Sequence, residues 1–286
     1  MYELRLCYLI GHPLDHSMSA VMHNAAFKEL RLNYRYELLP VKPEELGSVV
    51  SKTLRKTEVM GVNVTIPHKI AVIKYLDDVD DEAAEIGAVN TIVNEDGRLK
   101  GYNTDRKGAM RALAEVYGEL KDAKAVMLGA GGAARAIGSY LSTSVSKLSI
   151  LNRNLKHAND LAEHLSTLPV CRASVSASKF QRSSLKEALE EANILVNATP
   201  IGMAPNSNET PVERGLINPR LLVFDTIYNP PKTRLLREAE MVGARTLSGI
   251  NMLVYQGAAS FELWTEKRAP ETLMMETVRE KLGARE

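Results

Sequence analysis

Apolar positions in the first third of the chain alternate between short continuous runs and stretches where they recur every three or four residues. Arg5 to Ile10 and Tyr34 to Leu39 read as strands, and Val59 to Thr65 as a third. Between the first two, Val21, Met22, Ala25, Ala26 and Leu30 share one helical face, with Ser17 placed to cap its start. Pro43 to Leu54 gives a second helix. Pro67 suits the first position of a further helix, which would carry Lys69 in its first turn. Asp80 to Ile86 reads as a short helix, and Val89 to Asn94 and Leu99 to Asn103 flank the turn Glu95-Asp96-Gly97 as a hairpin.

From Thr104 a helix is expected to run to about Tyr117 and to connect this segment with the next. The central stretch, Lys124-Ala-Val-Met-Leu-Gly-Ala-Gly-Gly-Ala-Ala-Arg-Ala-Ile137, passes from an apolar strand through small residues into helical spacing. Gly129, Gly131 and Ala134 fit G-x-G-x-x-A, a turn that lets backbone approach a pyrophosphate at a helix start. Strands then recur at Leu148 to Leu151, Ile194 to Asn197, Leu221 to Phe224 and Arg245 to Leu247. Helices are read at Leu155 to Leu165, Leu185 to Glu191 and Thr233 to Met241. After Gly249 the chain turns helical, with a last helix ending near Leu282.

The pattern predicts an α/β protein of two domains: an N-terminal α/β domain and a doubly wound, Rossmann-like domain. Residues 1–105 with the returning helices of 250–286 form the first, and 106–249 the second.

Composition changes this picture little. Hydrophobic residues make up 45% and charged residues 25%, as in an ordinary globular protein, and aromatics are only 5%, so mainly aliphatic cores are expected. A net charge of +1 without a basic, aromatic-laced block argues against nucleic acid as a partner. No apolar run approaches bilayer-spanning length, and Met1-Tyr-Glu-Leu-Arg lacks the features of a secretion signal, so no membrane association and a cytoplasmic location are expected. Cys7 and Cys171 lack metal-type spacing and are expected to be buried thiols. His12 and His16 are separated by Pro13, and no metal set is read.

Chemistry concentrates elsewhere. No carboxylate stands at the end of the strand that follows the glycine turn, where one would take a ribose 2′-hydroxyl. Asn152-Arg153-Asn154-Leu155-Lys156 offers cations for a 2′-phosphate instead, favouring NADP. In the first domain, Lys69 at a helix start would feel the helix dipole, a field that favours proton transfer. Asp105 opens the connecting helix, either as a capping acid or as a partner for Lys69.

Ser17-Met-Ser19, Asn63-Val-Thr-Ile-Pro-His-Lys69, Gly87-Ala-Val-Asn-Thr91 and Gly101-Tyr-Asn-Thr-Asp105 form one ordered set of motifs. Gly129-Ala-Gly-Gly-Ala-Ala-Arg135, Asn197-Ala-Thr-Pro-Ile-Gly-Met203, Asp225-Thr-Ile-Tyr-Asn-Pro230 and Gly249-Ile-Asn-Met-Leu-Val-Tyr-Gln256 continue it. Together they resemble the shikimate dehydrogenase family over almost the full chain. The resemblance implies reversible, NADPH-dependent reduction of 3-dehydroshikimate to shikimate, on the way to aromatic amino acids, in a cleft between the domains.

By that resemblance Lys69 is the acid–base group and Asp105 its partner. Ser17 and Ser19 would bind the substrate carboxylate with Tyr228, while Thr65, Asn90, Asp105 and Gln256 would hold ring hydroxyls. Gly129, Ala130, Gly131, Gly132 and Ala133 would hold the pyrophosphate, and Asn152, Arg153 and Lys156 the adenosine end. Ile227, Gly249 and Asp81 would border the nicotinamide. The family usually has Asn-Arg-Thr with Arg or Lys three residues after the Thr; here Asn154 and His157 stand at those places, leaving phosphate recognition to Arg153 and Lys156.

Serine at both 17 and 19 favours shikimate over quinate, whose dehydrogenases often carry Thr at one of them. A nucleotide-sensing module without chemistry would lack the catalytic pair, and both Lys69 and Asp105 are present. Either a monomer or a homodimer is compatible with the sequence.

Overall fold

A computed structural model of the chain describes residues 4–284. The chain divides into two compact units: residues up to Gly108 together with those from Val254 onward, and Ala109–Leu253.

The first unit begins with β1 (Arg5–Gly11), α1 (Ser19–Glu29), β2 (Tyr34–Pro40), a 3₁₀ turn over Pro43–Glu45, α2 (Leu46–Lys52) and β3 (Val59–Val64). After a 3₁₀ segment at Ala71–Tyr75 come β4 (Asp78–Val79), α3 (Asp81–Ile86), β5 (Thr91–Glu95), β6 (Arg98–Tyr102) and α4 (Asp105–Tyr117), inside which the unit boundary falls. The sheet has the order β2-β1-β3-β5-β6-β4. Its first half is parallel and β3-β5-β6 is antiparallel. The β5–β6 hairpin turns through Asp96 (φ 51°) and Gly97 (φ 91°), the two positive φ values that a tight two-residue turn requires. Asn94 braces that turn, donating to the carbonyls of Leu54 and Lys56 and accepting from Gly97 N–H.

Two expectations fail here for local reasons. The helix after Pro67 does not form: His68 N–H bonds to Thr65 C=O and Val72 N–H to His68 C=O, so Lys69 sits in a turn ahead of the 3₁₀ segment. Helix α1 starts at Ser19 rather than at Ser17, whose hydroxyl accepts from Ser19 N–H at 3.2 Å. The two-residue β4 lies in an acidic run that carried no strand pattern.

The second unit continues with β7 (Lys124–Leu128), α5 (Gly132–Ser144), β8 (Lys147–Asn152), α6 (Leu155–Ser166), β9 (Ser174–Lys179), α7 (Arg182–Glu190) and β10 (Ile194–Asn197). It ends with β11 (Leu222–Asp225), α8 (Arg234–Met241) and β12 (Arg245–Leu247). All pairings are parallel, in the order β12-β11-β10-β7-β8-β9. That is the doubly wound order, reversing direction between β7 and β10. Strands β10 and β11 are buried at every residue, which is why they read as unbroken apolar runs. Helix α6 buries Ala158, Leu161, Ala162 and Leu165, one stripe at helical spacing. Edge strand β9 (Ser-Val-Ser-Ala-Ser-Lys) is mostly polar and partly exposed, so the apolar pattern did not reveal it.

Helix α9 (Gly249–Thr265) carries the second unit boundary, and α10 (Glu271–Lys281) packs on α1. The scarce aromatics gather in the first unit. His23 stacks on Tyr36 with ring centroids 4.6 Å apart, amid Phe27, Phe261 and Trp264. Burial holds this imidazole down at about 3, so it is neutral at physiological pH. The second unit's core is aliphatic around β7, β10 and β11. Cys7 is fully buried, and desolvation pushes its thiol up. Cys171 is only half-buried, because it lies in the loop before the exposed edge strand.

Candidate active site

The first unit's polar cluster is linked by hydrogen bonds made within that unit. Lys69 Nζ lies 2.5 Å from Asp105 Oδ2, with the lysine side chain 14% and the aspartate 5% exposed. Asp105 is the first residue of α4 but does not cap it. Asn103 Oδ1 takes the cap, accepting from the N–H groups of Asp105 and Arg106, which leaves the Asp105 carboxylate free to face Lys69. The electrostatic partner of the amine is therefore a carboxylate rather than the helix dipole expected from Pro67.

Asn90 sits just ahead of β5 and is 2% exposed. Its Oδ1 accepts from Thr104 N–H at 2.7 Å, and since that group can only donate, the amide orientation is settled. Its Nδ2 then donates to Asp105 Oδ1 (3.0 Å) and to Gln256 Oε1 (3.1 Å) on α9. Lys69, Asp105, Asn90 and Gln256 thus form one connected group. Ser19 N–H, at the first residue of α1, donates to Ser17 Oγ, and Thr65 follows β3, its N–H bonded to Ile10 C=O. Tyr228 lies in the second unit, just beyond β11.

Four members of this network were not assigned a role from sequence: Asn63, Thr91, Thr104 and Ser260, all buried. The first three lie inside quoted motifs. Ser260 lies outside them, and its only signal was the i,i+4 spacing from Gln256 on a helix.

In the second unit the glycine turn falls between β7 and α5, where the strand order reverses. Gly129 has φ +110°, and a β-carbon there would lie 2.8 Å from Ala198 C=O beyond β10. At Gly131 a β-carbon would meet nothing, so the backbone there is open, and α5 has no side-chain cap for its first N–H groups. Four residues on, Arg135 Nε is buried with no hydrogen-bond partner among the described residues. Open donors, an uncapped helix start and an unanswered guanidinium N–H fit an anionic dinucleotide.

At the end of β8, Asn152 Nδ2 donates to Asn154 C=O, and Arg153 is exposed. Asn154 Oδ1 accepts from Lys156 N–H, capping α6 as Thr would, so this departure from the family pattern preserves the local fold. Lys156 Nζ pairs with Asp160 at 2.8 Å on the exposed face of α6. Gly249 is packed so closely on the next loop that a β-carbon would lie 2.2 Å from Thr226 C=O, and its N–H bonds to Ile227 C=O. Beneath that loop, Asp225 accepts from Asn197 Nδ2, Ile227 N–H and Thr233 Oγ1. Burial outweighs these bonds and pushes its carboxyl up to about 6. Asp81, by contrast, lies in the first unit, exposed in the first turn of α3. Among the described residues, no cluster of His, Cys, Asp and Glu could hold a metal ion.

A doubly wound unit with an open glycine turn, together with a unit built around a buried lysine–aspartate pair, defines a dinucleotide-dependent dehydrogenase. Residues 9–92 match the shikimate dehydrogenase substrate binding domain, 111–232 match shikimate / quinate 5-dehydrogenase, and 249–279 match the shikimate 5′-dehydrogenase C-terminal domain. A shikimate dehydrogenase (NADP(+)) of Methanopyrus kandleri is 46% identical, over 98% of this chain and 97% of its own. A solved shikimate dehydrogenase in complex with NADP+ superposes with a TM-score of 0.89 at 42% identity, covering 98% of this chain and 96% of that one. The Thermus thermophilus shikimate 5-dehydrogenase, solved with NADP(H) and shikimate, gives 0.84 at 35% identity over 97% and 99%. The chain belongs to the shikimate dehydrogenase family.

Proposed function

We propose that this chain is an NADP-dependent shikimate dehydrogenase, interconverting 3-dehydroshikimate and shikimate in the cytoplasm as a step toward aromatic amino acids. The observation that carries this reading is the buried Lys69–Asp105 pair bonded through Asn90 to Gln256, in a chain whose relatives share the activity along their length.

Most of the substrate's partners come from the first unit. Ser17 and Ser19 take the carboxylate, joined by Tyr228, and Thr65, Asn90, Asp105 and Gln256 take ring hydroxyls. A small anionic polyol needs many convergent hydrogen bonds, and an analogue that lacks one leaves a buried group unpaired. Gly129 to Ala133 would hold the cofactor pyrophosphate on open backbone, Arg153 and Lys156 its 2′-phosphate end and Asn152 the adenosine, with Ile227, Gly249 and Asp81 bordering its ring.

NADP supplies the hydride donor and, in reverse, the acceptor. In reduction the Lys69 ammonium would give a proton to the ketone oxygen, and the resulting amine would regain a proton from water. In oxidation the same amine takes the hydroxyl proton as hydride leaves the carbon. Asp105 Oδ2 fixes the amine in reach of that oxygen and balances its charge.

Absorbance of the reduced cofactor, followed with shikimate or quinate against NADP or NAD, tests the activity and its specificity together. Lys69→Ala should lower kcat by about 10²–10⁴-fold while still binding shikimate, because general acid–base catalysis is worth that much. Near-full turnover in that variant would remove Lys69 from the mechanism.

A further inference from the structure

Behind the lysine–aspartate pair, the first unit buries a run of polar residues that are at most 4% exposed. Ser260 on α9 is fully buried, and its Oγ lies 2.7 Å from Thr91 Oγ1, 3.1 Å from Thr104 Oγ1 and 3.0 Å from Asn63 Nδ2. It also sits 3.0 Å from Gln256 C=O, one turn earlier on the same helix. Thr91 and Thr104 hydroxyls lie 3.0 and 3.2 Å from Asn90 Oδ1. Thr104 Oγ1 is in addition 2.9 Å from Asn90 Nδ2, which can only donate, so this hydroxyl accepts there and must send its own proton elsewhere. Ser260 Oγ, at 3.1 Å, is the nearest of its three remaining neighbours, ahead of Thr91 Oγ1 and Asn90 Oδ1, both at 3.2 Å.

We propose that Ser260 is a positioning residue for the reaction: as shared partner of Thr91, Thr104 and Asn63, it holds the two threonine hydroxyls so that Asn90 presents its N–H to Asp105. The inference rests on the reading of Lys69 and Asp105 as the acid–base pair. Without the serine oxygen, two hydroxyls and an amide compete for Asn90 Oδ1 in a space where none can reach water. The Thr104 N–H still fixes which end of the Asn90 amide accepts, but the displaced hydroxyls draw the amide out of line, and with it the hydrogen bond that keeps Asp105 turned toward Lys69. The far end of the network is anchored on the aromatic cluster, through the Tyr36 hydroxyl bonded to Asn63 Oδ1 at 2.8 Å.

The experiment compares Ser260→Ala with Asn94→Ala, an equally buried and hydrogen-bonded residue of the same unit that braces the hairpin turn instead. Both should melt at lower temperature. Only Ser260→Ala should lose about tenfold in kcat with shikimate and shift its pH–rate profile, while NADPH affinity measured by fluorescence stays unchanged. Thr91→Val keeps the side-chain shape and removes one hydroxyl; it should show the same kcat and pH signature, and it decides the matter if Ser260→Ala does not fold. A folded Ser260→Ala or Thr91→Val enzyme with kcat and pH profile within about twofold of the unaltered protein would overturn the proposal. Lys69→Ala measured alongside separates the two ideas: if it too stays active, the acid–base reading is wrong, and if it alone is inactive, only the role of Ser260 is lost.

Discussion

Around Asn90 the first unit gathers amides, hydroxyls and a carboxylate from β3, the hairpin, the start of α4 and α9, whereas around Gly129 the second unit offers mostly bare backbone. The difference follows the ligands each would take. A polyhydroxy acid is told from its analogues by individual hydrogen bonds, so its site needs many side chains with fixed donor and acceptor roles. A pyrophosphate asks only for N–H groups and close approach, which small residues at a helix start supply. Substitutions should therefore damage the two units in different ways.

The largest effect beyond Lys69 is expected at Gly129. Alanine there must adopt φ near +110° with its β-carbon against Ala198 C=O, which should cost about 2–4 kcal/mol and weaken NADPH binding by more than tenfold. Thermal melting and a fluorescence titration read this directly, and unaltered values for both would break the contrast.

Next comes Asp225, where the second unit relies on a buried, hydrogen-bonded polar side chain in the manner of the first. Its carboxyl is raised to about 6 by burial, so the folded protein holds that proton more tightly than the unfolded chain does. The associated stability is present below about pH 4 and is lost as pH rises through 6. Asp225→Asn removes this dependence, so its unfolding free energy relative to the unaltered protein should rise by up to about 3 kcal/mol between pH 4 and 7. Denaturant titrations at several pH values check the slope; a flat difference would show that the carboxyl titrates normally.

The smallest effect is at Arg153, exposed at the end of β8. Arg153→Ala should narrow the preference for NADPH over NADH by about tenfold, leaving the KM for shikimate unchanged. An unchanged cofactor ratio would move 2′-phosphate recognition onto other groups.

The same contrast explains what could be read from the letters. Second-unit strands such as β10 and β11 are buried on both faces and stand out as apolar runs, and the glycine turn is a local signal. Strand β9 escaped because an exposed edge needs no apolar residues. In the first unit, the family motifs pointed to Lys69, Asp105 and Asn90. The support behind them was not readable, because the contact between Ser260 and Thr91 spans 169 residues of sequence and leaves no periodic trace. Lys69 was placed on the wrong local structure for a related reason: proline opens turns as readily as helices, and the bond from His68 to Thr65 decided between them.

One consequence follows from the settled orientation of the Asn90 amide. Exchanging it for aspartate changes a single NH₂ for oxygen and looks mild on paper. Yet it would set a second acid group about 3 Å from Asp105, where two anions cannot both persist. The two like groups would repel, and Lys69 would no longer face one carboxylate held in one place. The amide at this position is thus what leaves its neighbour's carboxylate to Lys69 alone.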